Sequence, residues 1–247
     1  MSRATCLADE KAWSEPETAE VRLAWRPVGP RLRPAKQYQE ISMYQDEQTQ
    51  GRSHDLGCDD DSSKDDGGAL AKRLLKSRTI LVAKQVDKKL MEKVTAQLLI
   101  LSHEDSTKPI TVYVNSPGGD ADSGFAIYDM MKFVKAPVHT ICAGLSASAG
   151  VIIYLGGEKG HRYCLPNSRF LIHQPSTFAQ GQASDLEITA QQIIKIRDRY
   201  NAIVAAETGT PAKQIVKDAN RDFWLNAEEA QKYGLVDRIV SAQGEIE

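Results

Sequence analysis

Four cysteines in 247 residues, none of them in C-x-x-C spacing, leave no disulfide framework and no cysteine metal site to organise the fold. Cys142 and Cys164 stand in apolar, strand-like runs and read as buried reduced thiols, while Cys6 and Cys58 fall in a polar segment. No apolar run approaches the roughly 20 residues that a membrane helix needs. Lys and Arg total 31 against 33 Asp and Glu, a net charge of −2. No excess of either sign is therefore available to hold nucleic acid or an anionic membrane. Residues Met1 to Glu10 lack an apolar segment of signal-peptide type, and their acidic side chains argue against a transit peptide. These absences predict a soluble, cytoplasmic chain with no cofactor, no metal, no nucleic acid and no membrane partner.

What is present divides near residue 69. Residues 1–68 mix Pro16, Pro27, Pro30 and Pro34 with charge and end in the acidic run Asp59 to Asp66. Such a segment buries too little apolar surface to offset its ordering entropy. It reads as a polar, mostly disordered extension, within which Met43 is an alternative start. Residues 69–247 form the folded domain, and their hydrophobic periodicity alternates between strand and helix. Helices are predicted over 69–77, over 87–101 with Leu90, Val94, Leu98 and Leu101 on one stripe, and after Gly119 with Ile127, Met130, Met131 and Val134. Strands are predicted over 79–86, 110–115, 138–143, 161–166, 168–174 and 236–240. Ser184 to Glu187 reads as a capping box opening a long helix to about Glu207. Thr210 with Pro211 starts another helix, and Asn226 with Glu229 caps a third. Repeated strand–helix units of this kind predict an α/β fold, a parallel sheet with helices outside.

The chain is organised around Thr140 to Gly157, a buried strand that runs through small residues into an apolar helix. A serine on that turn would place its hydroxyl at a helix N-terminus, where free N–H groups stabilise anions. Ser146 and Ser148 both qualify, and neither satisfies the G-x-S-x-G pattern. From these residues alone, two serines capping a tightly packed helix explain the stretch equally well. Three other positions stand at element ends. Gly118-Gly119 can turn an N–H outward to receive an oxyanion, or form an ordinary turn. His173 closes an apolar strand beside Pro175 and could act as a general base or be structural. Asp222, placed between two helical segments, could orient an imidazole or pair with Arg221 or Arg238.

Taken together, the runs Tyr113-Val-Asn-Ser-Pro-Gly-Gly119, Ala147-Ser148-Ala-Gly150, Arg162-Tyr-Cys-Leu-Pro-Asn-Ser-Arg169, Ile172-His-Gln-Pro175 and Ala230-Gln-Lys-Tyr-Gly-Leu-Val-Asp237 resemble the ClpP serine peptidases, proteolytic subunits of the ATP-dependent Clp protease. The likeness spans about residues 70–241. It implies a ClpP/crotonase-like stacked-sheet spiral with a protruding handle helix. It also implies Ser148 as nucleophile, His173 as general base, Asp222 as orienting carboxylate, and the N–H groups of Gly119 and Ala149 as oxyanion hole. Substrate would lie along Gly118 and along a handle strand of Gln180, Gly181, Gln182 and Ala183, paired through the main chain. The implied partners are copies of the chain in stacked heptameric rings, or a ClpP paralogue in a mixed ring. They also include an AAA+ unfoldase such as ClpX, ClpA or ClpC, and unfolded protein substrates. A non-catalytic ring subunit and a crotonase-type acyl-CoA enzyme are the competing readings.

The sequence departs from the family pattern in three places. The acidic run Asp59 to Asp66 stands where an axial hairpin is usual. Thr111 and Ile100 occupy aromatic positions of the unfoldase-docking pocket, although Tyr113 and Phe133 remain. Asn220 replaces the acidic residue before Arg221.

Overall fold

The computed structural model describes residues 66–246. The extension 1–68, with Cys6, Cys58, Met43 and most of the acidic run, lies almost wholly outside the described residues. Among those described, a seven-stranded sheet carries helices between its strands, in the order β1 (Thr79–Val82), β2 (Ile110–Ser116), β3 (Val138–Ala147), β4 (Arg162–Cys164) and β7 (Arg238–Ile239), with β5 (Arg169–Ile172) joining β3 and β6 (Phe223–Asn226) joining β5. All pairings are parallel except β5 with β6.

Helix α1 spans Asp66–Lys76, β1 spans Thr79–Val82, and α2 spans Lys88–Glu104. The Asp87 side chain caps α2 by accepting from the Leu90 N–H at 2.7 Å. The stripe Leu90, Val94, Leu98 and Leu101 is buried as its spacing predicts. Strand β1 stops four residues short of the expected end, because Val86 leaves the ladder and makes a single bridge to Gly119. Strand β2 covers Ile110–Ser116 and α3 covers Ala121–Phe133.

Strand β3, Val138–Ala147, runs past Gly144, the residue expected to end it. The continuation depends on that glycine. Its φ is +120°, and an added Cβ would lie 3.0 Å from Asn115 Oδ1, the atom that accepts the Leu145 N–H at 3.1 Å. There the ladder to β2 shifts register between Val114 and Ser116, and β3 changes its other neighbour. Thr140 to Cys142 pair with β4, Arg162–Cys164, whereas Leu145 to Ala147 pair with β5, Arg169–Ile172. The Ser168 hydroxyl bridges the changeover, donating to the Cys142 carbonyl at 2.8 Å and accepting the Gly144 N–H at 3.4 Å. One strand thus serves two different neighbours along its length, a fork consistent with the stacked-sheet architecture expected.

Helix α4, Ala149–Leu155, is buried along its whole length. Helix α5, Ala183–Thr208, buries only Tyr200, Asn201 and Val204, so its first four turns stand out as a handle. It begins before the expected capping box, since the Leu186 N–H already bonds the Gln182 carbonyl at 3.0 Å. The handle strand is not formed. Gln180 to Gln182 are exposed and belong to no ladder, and Ala183 is the first helical residue, because a strand requires a neighbour that this segment lacks among the described residues. Helix α6, Ala212–Asp218, precedes β6, Phe223–Asn226. That strand was not predicted, so Asp222 stands before a strand rather than between two helices. Helix α7, Ala227–Lys232, carries the expected capping box of Asn226 and Glu229, and β7 is only Arg238–Ile239.

A buried ion pair ties these elements together. Arg162, 1% exposed, pairs with Glu207 of α5 and donates to the Gly157 carbonyl at 3.0 Å. Glu207 also pairs with Lys132 at 3.2 Å and accepts from the Tyr128 hydroxyl at 2.7 Å. Burial alone would raise the Glu207 carboxyl, but the Tyr128 bond and the Arg162 and Lys132 charges outweigh it and hold the group below the ordinary carboxylate value.

Candidate active site

Register brings the candidate residues to one end of the sheet. Ser116 of β2 pairs with Ser146 of β3, so Gly118-Gly119 leave the sheet beside Ala147 and Ser148. Ala147 pairs with Leu171 of β5, and the Ser148 N–H donates to the Leu171 carbonyl at 2.9 Å. That places Ser148 next to the end of β5, one residue before His173. Strand β6 runs back against β5 with Ile172 opposite Phe223. The next pair outward in an antiparallel ladder is then His173 and Asp222. Sequence alone could not place Asp222 there, because that position depends on β6.

Two further bonds hold the His173 loop against the Asp222 loop. The Gln174 N–H donates to the Ala219 carbonyl at 2.8 Å, and its side-chain amide donates to the Asn220 carbonyl at 3.1 Å. His173 Nδ1 lies 3.9 Å from Asp222 Oδ1, with 27% and 68% of the two side chains exposed. This is an ion-pair distance, longer than a hydrogen bond. Catalytic contacts often tighten only around substrate. Ser148 and His173 line one cavity of about 280 Å³ together with Gln85, Pro117, Gly118 and Gly119. His173 also lines an adjoining cavity of about 530 Å³ that contains Asp222 and Arg221. His173 is thus common to the cavity that holds Ser148 and the cavity that holds Asp222.

Ser148 is the N-cap of α4 at φ +55° and ψ −121°, a conformation that L residues rarely adopt. Its side chain makes no capping bond, so helix capping does not explain the strain. The Tyr200 hydroxyl donates to the Ser148 carbonyl at 3.4 Å, supporting the turn from the handle side. Ser146, by contrast, is fully buried within β3. Of these two serines, Ser148 is the one that lines the cavity.

The N–H groups of Gly119 and Ala149 make no hydrogen bond among the described residues. Gly119 has φ +145° and Gly118 φ +90°. A Cβ on Gly118 would come within 2.6 Å of the Ala147 carbonyl oxygen and 2.7 Å of Ser148 Cβ. Glycine there lets the two turns meet. The chemistry this suits is attack by an alcohol with two amides facing the product oxyanion. Gln180, Gly181, Gln182 and Ala183 line neither cavity. The cavity wall contributed by Gln85 carried no signal in the sequence.

The profile of the Clp protease family matches residues 63–243. The chain belongs to the Clp protease family. Among curated members, it is 47% identical over 181 residues to the ATP-dependent Clp protease proteolytic subunit 2 of Treponema denticola, covering 73% of this chain and 90% of that one. It is 51% identical over 173 residues to proteolytic subunit 3 of Rhizobium johnstonii, covering 70% and 89%. Among solved structures, a point mutant of ClpP1 from Listeria monocytogenes superposes with a TM-score of 0.67 at 40% identity, over 72% of this chain and 99% of that one. The Clp protease fold accounts for the forked β3 and the projecting α5.

Proposed function

We propose that the chain is the proteolytic subunit of an ATP-dependent Clp protease, a serine endopeptidase acting on unfolded polypeptide. The carrying observation is Ser148, strained and uncapped, in one cavity with His173 and beside two unpaired N–H groups. His173 takes the Ser148 proton through the nitrogen turned away from Asp222, and the alkoxide adds to the scissile carbonyl. The Gly119 and Ala149 N–H groups receive the oxyanion. His173 then passes the proton to the leaving amine, and a water repeats the sequence to release the acyl group. Asp222 holds the imidazole tautomer and stabilises its cationic form. Extended substrate runs past Gly118 and pairs with the main chain of the exposed segment Gln180 to Gln182, up to Ala183 at the start of α5.

Ring assembly with copies of the chain or a paralogue, in the cytoplasm, would confine this reactivity to threaded chains. No described helix is long and apolar enough to cross a membrane. Docking to an AAA+ unfoldase would use the exposed apolar side chains of Phe133 and Ile100, 77% and 46% exposed. Residues 1–68 form a polar extension to the peptidase domain 69–247. The test is labelling by a fluorophosphonate probe. Wild type labels and Ser148→Ala does not; labelling that survives the substitution refutes the assignment.

A further inference from the structure

The opposite end of β3 carries a second group of chemically competent side chains. His139 is the second residue of β3, His161 immediately precedes β4, and Glu158 opens the turn between α4 and β4. His139 lies nine residues before Ser148, about 30 Å along an extended strand. The two imidazoles stack with centroids 4.2 Å apart and planes within 3°. One ligand atom from each of His139, His161 and Glu158 lies within 4.8 Å of the other two.

We propose that His139, His161 and Glu158 form a binding site for a divalent transition metal of the zinc class.

The backbone holds the three residues in place. The Glu158 N–H donates to the Val138 carbonyl at 2.8 Å and the Thr140 N–H to the His161 carbonyl at 3.1 Å, so both ends of the turn are fastened to β3 on either side of His139. The turn closes on itself through the His161 N–H and the Glu158 carbonyl at 3.0 Å, and the Gly160 N–H is held by Asp237 Oδ2 at 2.8 Å. The ligating atoms themselves are uncommitted. His139 is 8% exposed, yet among the described residues its ring nitrogens have no hydrogen bond and the Glu158 carboxylate has neither a hydrogen bond nor an ion pair. His161 Nδ1 lies 3.1 Å from the Tyr163 hydroxyl, which leaves Nε2 for a metal and supplies the outer hydrogen bond that fixes a ligating imidazole.

The donor set and distances suit this class of ion. Two imidazoles and a carboxylate match zinc-like cations rather than calcium or magnesium, which prefer oxygen alone. Two donors about 2.1 Å from a tetrahedral ion stand about 3.4 Å apart. Closure to that spacing calls for the stacked rings to tilt toward a shared point and for the exposed Glu158 side chain to turn. Three protein ligands leave a fourth position to water.

The experiment is calorimetric titration of the chelator-treated full chain with zinc chloride, using wild type, His161→Gln, Glu158→Gln and the His139→Gln/His161→Gln double variant. Cobalt absorption spectra serve as a second readout of coordination. Wild type should bind one ion per chain at this site. Glu158→Gln should weaken it by about tenfold or more, and the double variant should lose that equivalent and the visible cobalt bands. Glu158 is exposed, so its variant reports even where a histidine substitution impairs folding. Zinc held instead by His173 and Asp222 would persist in every variant. Unchanged stoichiometry and affinity across the series overturns the proposal.

Discussion

Replacing Gly118 by alanine tests whether the contact between the two turns sets the reaction geometry. The added Cβ would stand 2.6 Å from the Ala147 carbonyl oxygen, so reaching ordinary contact near 3.4 Å requires the turns to part by about 0.8 Å. A misplacement near 1 Å at a reacting centre costs about 10²-fold in rate, or about 2.7 kcal/mol. The backbone cost is separate. At φ +90° a side chain adds about 1–2 kcal/mol of strain, which lowers Tm by about 2–8 °C in a domain of this size. Gly209→Ala is the control, because its φ is +77° and an added Cβ meets nothing within 4 Å. Both variants should lose thermal stability, and only Gly118→Ala should lose kcat/KM on a fluorogenic peptide, by about 10²-fold. Gly118→Ala retaining wild-type kcat/KM, or Gly209→Ala losing as much, would refute the reasoning.

Asp222 is largely exposed and 3.9 Å from His173, so Asp222→Asn should lower kcat by less than the about 10⁴-fold seen when a buried triad carboxylate is replaced; His173→Ala should match Ser148→Ala. Steady-state peptide hydrolysis across the series checks the order. Glu207→Ala strands the buried Arg162 guanidinium and should cost about 3–5 kcal/mol, read as a fall in Tm of about 6–20 °C. Because its folded-state pKa is depressed, Glu207 contributes stability that is complete above its ordinary value of 4.5 and is lost as pH falls below it. Thermal unfolding of Glu207→Gln against pH should therefore show a flatter acid limb than wild type. Burial pushes the Cys142 and Cys164 thiols up to about 12. Both should resist iodoacetamide at pH 8 in the native chain and react after unfolding, as peptide mass mapping would show.

The parts of the fold legible in the sequence were those set by neighbours along the chain. The α2 stripe and the Asn226–Glu229 cap follow from helical spacing. The site residues were legible as separate element ends, and their grouping came from the family resemblance. What remained hidden depends on contacts between distant segments. Gly144 looks like a strand terminator until Asn115 and Ser168 are seen to hold β3 beyond it. Phe223 to Asn226 has no strand signature of its own and becomes one by pairing with β5. Ser184 has the residue pattern of a cap, but the helix takes its first bond upstream of it. Arg162 and Glu207 are separated by 45 residues, so neither advertised a buried partner. His139 and His161 were legible only as residues at strand starts. The turn fastened to β3 is what stacks their rings.

The fork in β3 has a mechanical consequence. Because one continuous strand gives Thr140 to Cys142 to β4 and Leu145 to Ala147 to β5, neither partner can swing away without disturbing the strand that ends beside Ser148. Both pairings are thereby tied to a single run of backbone. The stretch after β5, residues 175–182, belongs to no ladder, and its first two residues, Pro175 and Ser176, line the cavity with Ser148, so movement there would change access to that cavity without disturbing the sheet.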